Sequence, residues 1–388
     1  MKSKIIIGGW YQRTTLHLSE VYEFLAYGQS KLRLESKKLA DFRQVLGVVK
    51  VERVPGFLEK VFVTTESGIE ISYYEDGLYL LEKEAFEIIS DQQILKDYYY
   101  NLFEPAINYI FSLGAPTPKV LANIKVEHPL AIAVTNESDT ESFKVDEKMF
   151  GQIYSRTESG GFKVIKTPGY IIVTGNDQAK VSVEELLGMQ IFFREFKDQL
   201  ERYLNIHRTI WEEISDIKEK SALQGWEIEK VRSKLDSYAK TIGLISSRIN
   251  QMGVYVQTRA KTVKELDIEE SLTKLFEYKF EALTDTLAYI KEVWRMTTDY
   301  LSSAVQVVQD IRLQTTNNSI QSLQTITTYG VVGGIIGYLS RDSLPKLTSY
   351  GFIYFIVLVL LTIAINRTIV WLYRRKRYQL KFSDNTKF

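Results

Sequence analysis

A stripe of four polar side chains near the C-terminus has the spacing that a helix needs to line a path for ions. The positions follow i, i+4, i+7 and i+11, and the residues are Asn317, Gln321, Gln324 and Thr328. At about 3.6 residues per turn, this spacing places all four on one helix face. They stand at the start of an apolar stretch, and polar side chains at membrane depth need water or polar partners. The spacing therefore indicates a water-filled path along the axis of an oligomer.

The polarity of this segment has a second explanation. If residues 312–325 lie below the membrane, solvent satisfies their side chains and no path is required. Other faces of the segment are polar too, through Asn318, Ser322 and Thr325. Both interpretations stay open on the sequence.

Two apolar stretches surround a short loop at the end of the chain. A helix needs about 20 apolar residues, at about 1.5 Å each, to cross a hydrocarbon core of about 30 Å. The stretch at 350–373 meets this length, and the stretch at 323–339 meets it as the continuation of a longer helix. The pair predicts a membrane hairpin, with transmembrane helices at 323–339 and 350–373 joined by an extracytoplasmic loop at 340–349.

A basic cluster follows the second stretch and opens a cytosolic tail at 374–388. The cluster consists of Arg374, Arg375, Lys376 and Arg377. Basic residues that flank a membrane helix stay on the cytosolic side, so the C-terminus is predicted to be cytosolic, and two spans place the N-terminus there too. We expect a multi-pass protein of the plasma membrane, in contact with lipid.

The segment before the hairpin carries an apolar stripe at intervals of three and four residues, from Leu272 to Val308. Such a stripe buries a seam against other helices, within one chain or between chains. Neither glycine nor proline interrupts residues 254–329. The pattern predicts one continuous helix over 263–339, about 115 Å long, whose part at 263–322 is a cytosolic stalk.

The rest of the chain divides into a mixed region and a helical region. Residues 1–180 predict a cytosolic α/β domain, with helix over 84–113 and several short strands rich in Val, Ile and Tyr. The strand candidates are 4–7, 47–54, 61–65, 69–74, 124–135 and 170–174. Residues 181–262 predict a helical layer with a break near Gly225, and Ser182 and Glu185 have capping-box spacing at its start. The fold class is therefore an α+β cytosolic domain, then a long stalk helix and two C-terminal transmembrane helices.

Composition excludes several classes of function. The chain of 388 residues has a formal net charge of +1, which favours no nucleic-acid partner, and it has no cysteine and so no thiolate metal site. The histidines His17, His128 and His207 are far apart, and none has a metal ligand at motif spacing. No nucleophile elbow or phosphate-binding loop occurs, so we expect no enzyme and no bound cofactor.

The C-terminal segment resembles the CorA family of magnesium and cobalt channels. In that family an asparagine near the end of the stalk precedes a hydrophobic residue three positions on and a leucine six positions on, and Asn317, Ile320 and Leu323 match this spacing. The family loop has a proline-centred tetrapeptide, which residues 344–347 resemble, and the basic tail cluster is also similar. The resemblance covers about residues 280–378 in detail.

Two features depart from the family pattern. The Gly-Met-Asn signature at the outer end of the first span is replaced by Gly337, Tyr338 and Leu339, and Lys346 stands where the loop usually has an acid. Asp342 is the acid that remains at this mouth.

The resemblance implies a homo-oligomer, pentameric in the family, that carries divalent cations, with Mg²⁺ as the transported or regulatory ion. It implies that the inner path is lined by Asn317, Ile320, Gln321, Leu323, Gln324, Thr328 and Val331. It implies an outer mouth formed by Gly337, Tyr338, Leu339 and Asp342. The alternative is a membrane-anchored helical scaffold of the same architecture that conducts nothing. Loss of the signature favours the scaffold, and the polar stripe favours the channel.

Overall fold

The computed structural model describes residues 3–11, 17–56, 58–111, 129–134, 145–175, 182–220, 222–339 and 349–379. The chain forms two compact units. The first contains residues 1–206 and 244–292, and the second contains residues 207–243 and 293–388.

A mixed sheet organises the first unit. Among the described residues, nine strands pair in the order β2-β3-β4-β5-β1-β6-β9-β8-β7. The strands are β1 (Ser3–Trp10), β2 (Val48–Val54), β3 (Lys60–Thr65), β4 (Ile69–Tyr74), β5 (Leu78–Ala85), β6 (Leu130–Val134), β7 (Ser155–Ser159), β8 (Phe162–Lys166) and β9 (Tyr170–Gly175). β6 and β9 are parallel, and the other pairs are antiparallel.

Side-chain alternation along the strands explains why the sheet has helices on both faces. In β3, Val61, Val63 and Thr65 are buried while the residues between them are half-buried, the period of two that a strand imposes. One face packs against α1 (Leu18–Tyr27), α2 (Ser36–Val45), α3 (Ile88–Tyr98) and α4 (Glu104–Phe111), and a π-helical turn, Tyr99–Phe103, joins the last two. This core contains Phe24, Leu25, Leu95, Phe103 and Ile107.

The other face of the sheet packs against the long helix α6 (Val183–Glu219), which follows the short helix α5 (Glu147–Phe150). A Cβ atom on Gly8 of β1 would lie 2.7 Å from Leu80 Cδ2 and 3.0 Å from Ile191 Cδ1 of α6. Glycine is therefore required for α6 to approach the sheet this closely. The predicted capping box is confirmed, because the Glu185 N–H donates to Ser182 Oγ at 3.1 Å and the Ser182 N–H donates to Glu185 Oε2 at 3.4 Å.

A buried ion pair joins the sheet to the next long helix, α7 (Glu227–Glu265). Arg259 of α7 donates to both oxygens of Asp76, in the β4–β5 turn, at 2.6 Å and 2.8 Å. The side chains are 4% and 1% exposed. The Asp76 carbonyl also accepts the Trp10 indole N–H at 2.7 Å. The pair therefore links three elements of the first unit in a site that water does not reach.

The remaining helices are α8 (Glu269–Phe276), α9 (Phe280–Leu339) and α10 (Ser349–Arg375). The expected continuous helix from 263 is wrong at its start, since α9 begins at Phe280. Residues 263–265 instead end α7, and two residues with positive φ, Asp267 (55°) and Glu277 (64°), interrupt the chain on either side of α8. From 280 to 339 the helix is unbroken, as expected, and at about 1.5 Å per residue it is about 90 Å long.

Most other elements agree with the sequence. The α+β character of the N-terminal region and the long helices after it are confirmed. The predicted strands at 4–7, 47–54, 61–65, 69–74 and 170–174 correspond to β1–β4 and β9, and the described part of the 124–135 prediction is β6. The helical prediction for 84–113 was wrong at its start, because residues 78–85 form β5.

The predicted membrane spans correspond to the last part of α9 and to α10. Within the part of the chain that the structure describes, no helix is both long enough and apolar enough to cross a membrane.

Candidate functional site

A three-helix bundle in the second unit positions the segment that carries the polar stripe. It is formed by α6 from His207, α7 up to Gly243, and α9 from Val293. Its buried side chains include Ile210, Ile214, Ile217, Ile228, Val231, Leu235, Trp294, Leu301, Ala304, Val308 and Ile311. Trp211 stacks on Tyr300 with ring centroids 4.2 Å apart, and Lys218 Nζ lies 4.0 Å from the Tyr300 ring.

The packing of α9 changes after Ile311. Up to that residue, one side of the helix is buried in the bundle. From Arg312 to Ile335, every described side chain is exposed or half-buried. More than 20 residues of α9 thus have no fully buried side chain among those described, and exposed apolar residues among them indicate a further environment.

The helix places six of the seven residues predicted to line a path on one face. At about 100° per residue, Asn317, Ile320, Gln321, Gln324, Thr328 and Val331 lie within an arc of about 100°. The structure does not bring Leu323 to that face, because it lies about 120° around the helix from Asn317. The face is therefore a polar strip with the apolar Ile320 and Val331 at its edge.

Amides and hydroxyls on this helix differ in their hydrogen bonds. The Thr328 hydroxyl donates to the Gln324 carbonyl at 2.8 Å, and the Thr325 hydroxyl donates to the Gln321 carbonyl at 2.9 Å. Back-bonding of this kind satisfies a hydroxyl donor within the helix. Within the described part of the chain, the side-chain amides of Asn317, Gln321 and Gln324 contact no hydrogen-bond partner. These amides are the groups on the strip that need external partners.

An open groove borders the strip on one side. It has a volume of about 440 Å³ and is lined by Gln321, Gln324, Thr325, Thr328 and Tyr329. The sequence did not single out Tyr329, whose side chain is exposed. Its i+5 position from Gln324 explains why a face-based pattern misses it.

The predicted outer mouth is only partly within the described structure. Gly337, Tyr338 and Leu339 form the last turn of α9, and Asp342 lies outside the described residues. The structure thus places the backbone of the tripeptide at a helix end and assigns no site to the mouth.

The basic tail is joined to the bundle, which the sequence did not indicate. β10 (Ala222–Gln224), between α6 and α7, pairs antiparallel with β11 (Arg377–Gln379), and the Gly225 N–H donates to the Lys376 carbonyl at 3.1 Å. Leu223 and Tyr378 are 1% and 6% exposed, so each strand contributes a buried side chain. Two strands of three residues, separated by more than 150 positions, leave no local signal.

Removal of the Tyr378 ring is expected to release this ladder. A two-stranded ladder of this length is marginal without buried side chains, so Tyr378→Ala should expose residues 376–379. We expect trypsin to cleave after Lys376 or Arg377 at least about tenfold faster than in the wild type. A tenfold increase corresponds to a free energy of opening of the ladder that is lower by about 1.4 kcal/mol. Equal cleavage rates would contradict a structural role for the ladder. Tyr329→Ala, at an exposed ring, is the control.

Charged clusters elsewhere do not form a cation site. Lys4 Nζ lies 3.3 Å from Glu82, 3.5 Å from Glu184 and 3.7 Å from Glu70, so an ammonium group already occupies the centre of these carboxylates. Burial raises the pKa of the Glu82 carboxyl, and the charge of Lys4 opposes this shift. In the described ranges, no group of three or more His, Asp or Glu side chains could hold a metal ion.

The two histidines within the described residues lie in different elements. His17 precedes α1, His207 lies beside Trp211 and Trp294 in the bundle, and His128 is outside the described residues. Burial, with a smaller contribution from Arg208, lowers the pKa of the His207 imidazole. That ring is therefore better suited to packing than to carrying charge.

Comparison with known proteins adds a distant structural similarity. No family model matches the chain, and no curated protein matches it. The structure of the CorA magnesium transporter from Methanocaldococcus jannaschii is similar over 66% of this chain and 93% of that chain, with 13% sequence identity and a TM-score of 0.30. Similarity at this level carries no argument about function, which depends here on the residues of α9 and α10.

Proposed function

We propose that this chain is a subunit of a homo-oligomeric, CorA-like divalent-cation channel or transporter in the plasma membrane. The observation that carries the proposal is the polar strip of α9. Three amides with no partner among the described residues share one face of an unbroken helix that continues into an apolar segment. The ion path would follow this strip.

Exposed apolar side chains support the membrane part of the proposal. On the last part of α9 they are Ile326, Tyr329, Val331, Val332 and Ile335, and on α10 they are Ile353, Ile356, Val357, Val359, Leu360, Leu361, Ile363, Trp371 and Leu372. Those on α10 between 353 and 363 cover an arc of about 200°. Soluble surfaces rarely expose so many large apolar residues together, and contact with lipid explains them. The basic residues 374–377 then place the C-terminus in the cytosol.

The unpartnered amides support an oligomer with a wet axis. At membrane depth an amide without a partner is costly, whereas water or a hydrated cation satisfies it. One helix cannot enclose such a path, so several copies would place their strips around a common axis. Amide oxygens suit hard cations such as Mg²⁺, which bind oxygen ligands and keep much of their hydration shell.

A non-conducting membrane scaffold is the second candidate. Gly337-Tyr338-Leu339 offers no side-chain amide or carboxylate at the outer end of α9, and Lys346 adds a positive charge to the loop. Both features disfavour the entry of a cation. The scaffold would share the oligomer and the membrane hairpin, so ion flux separates the two candidates.

Ion flux into liposomes tests the proposal. The full-length protein would be reconstituted in liposomes that contain a dye sensitive to divalent cations, and Mg²⁺, Co²⁺, Ni²⁺ and Zn²⁺ would be added outside in turn. The channel hypothesis predicts that at least one cation enters these liposomes faster than it enters protein-free liposomes. Absence of flux for all four, under gradients of either direction, would remove it, and an ionophore added at the end would confirm that the vesicles were intact. A monomer or dimer mass in detergent would also contradict an enclosed path.

A further inference from the structure

The turn between α6 and α7 displays an aromatic side chain beside the basic tail. Trp226, in this turn, is 56% exposed. Its indole N–H donates to the side-chain oxygen of Gln224. The polar edge of the ring is thus satisfied by its own chain, and the apolar faces remain available to a partner.

The ladder between β10 and β11 determines what lies next to Trp226. Gln224 pairs with Arg377, and the Gly225 N–H donates to the Lys376 carbonyl. Arg375 and Arg377 have exposed side chains, and the Arg375 guanidinium lies 4.0 Å from the ring of Trp371, which is 50% exposed. We name Trp226, Trp371, Arg375, Lys376 and Arg377 the turn-and-tail patch.

Two acids that follow Trp226 in the sequence have partners of their own within the described residues. The Glu227 carboxylate accepts the Gln224 N–H at 2.9 Å, and the Glu229 carboxylate pairs with Arg232 at 2.7 Å. The patch therefore combines two exposed indole rings with three basic residues.

We propose that the turn-and-tail patch contacts the cytosolic membrane surface and binds anionic lipid headgroups. Indole rings favour the level of the headgroups, and basic side chains next to a span attract anionic lipids. The inference rests on the proposed membrane placement of α10, because Trp371 lies on that helix and the ladder begins two residues after its end. The α6–α7 turn would thereby be a second point at which the bundle meets the membrane.

Continuity along the chain favours lipid over a second copy as the occupant. The exposed residues Trp371 and Leu372 immediately precede the basic end of α10, and the exposed Ile363 lies two turns earlier, before Asn366 and Arg367. Apolar, then aromatic, then basic residues along a helix match the change from acyl chains to headgroups across a membrane.

Spin labels test this inference, because the chain has no native cysteine. Single labels would be placed by Trp226→Cys, by Leu360→Cys in the proposed span, and by Val254→Cys on an exposed position of α7. The full-length variants would be reconstituted in phosphatidylcholine vesicles with or without about 30 mol% phosphatidylglycerol. Collision rates with oxygen, which enriches in lipid, and with a nickel chelate, which stays in water, report the depth of each label.

We expect an oxygen-to-nickel ratio several-fold higher at 226 than at 254 in anionic vesicles, with the highest ratio at 360. Arg375→Glu together with Arg377→Glu should lower the ratio at 226 and leave the ratio at 360 unchanged. A label at 360 in lipid and a label at 226 as accessible to nickel as that at 254 would overturn the inference alone. A label at 360 in water would overturn the proposed membrane placement itself.

Two further outcomes are decisive. If the label at 226 is shielded from oxygen and nickel alike, in detergent as in vesicles, the patch contacts a second copy and the lipid proposal is wrong. Because the label replaces the indole, quenching of the native fluorescence by brominated lipids provides an independent measurement. The wild type should lose more emission than Trp226→Phe in anionic vesicles, and equal losses would count against the proposal.

Discussion

Asn317→Leu is expected to lower divalent-cation flux at least about tenfold, since each lost hydrogen bond to the hydrated cation costs about 1.5–3 kcal/mol. Asn317 lies at the centre of the polar strip, and its amide contacts no partner within the described part of the chain. Every subunit of the oligomer would carry the substitution, so a complete ring of amides would become apolar. Initial rates of dye response in proteoliposomes, at matched protein density, measure the effect.

Asn318→Leu is the matched control for this substitution. The two residues are neighbours of the same type on the same helix, but Asn318 lies about 100° around from Asn317 and away from the strip. We expect its flux to remain within about twofold of the wild type, because no contact with the ion path is lost. Equal losses in both variants would indicate a general effect on the helix and would contradict a path that follows the strip.

Arg259→Met is expected to lower the free energy of unfolding of the first unit by about 3–5 kcal/mol. The substitution removes the guanidinium and leaves the Asp76 carboxyl group in a buried site without its two hydrogen bonds from Arg259. Methionine retains much of the volume, so the lost ion pair accounts for most of the change. Denaturant unfolding of the full-length protein in detergent, followed by circular dichroism, measures it.

Two variants control for this prediction. Asp76→Asn combined with Arg259→Met removes both charges, and we expect it to be more stable than Arg259→Met alone. Arg295→Met removes an exposed pair with Asp299 at 3.0 Å, and we expect a loss of at most about 0.5 kcal/mol. A loss for Arg259→Met as small as that for Arg295→Met would contradict the stabilising role of the buried pair.

Local signals account for the parts of the fold that the sequence predicted. α6 begins where Ser182 and Glu185 form their capping box, and α6 and α7 are separated near Gly225, as the pattern indicated. β2, β3 and β4 are rich in β-branched and aromatic residues and lie between turns, which identifies them as strands. The polar strip was also predictable, because its spacing depends only on the geometry of a helix.

Tertiary contacts decided the parts that were missed. Residues 263–279 lack glycine and proline, yet the helix is interrupted, and the Thr157 hydroxyl of β7 donates to the Leu275 carbonyl of α8 at 2.9 Å. Such a contact between distant residues leaves no mark on the local pattern. The hairpin of β7 and β8, five residues each around Gly160 and Gly161, is absent from the predicted strands because its strands are short and partly charged. The ladder between β10 and β11 was not predicted either, because its strands have three residues each and are distant in the sequence.

Single-cysteine accessibility along α9 tests most directly the claim that the polar strip lines the ion path. Because the chain has no native cysteine, a thiol reagent reacts only at the introduced position. Each of residues 316–331 would be replaced in turn, and divalent-cation flux would be measured before and after a charged thiol reagent. A path along the strip predicts inhibition with a helical period, strong at 317, 321, 324 and 328 and weak at 318, 322 and 326. Inhibition at every position, or at none of them in a protein that conducts, would contradict the claim that this face lines the path.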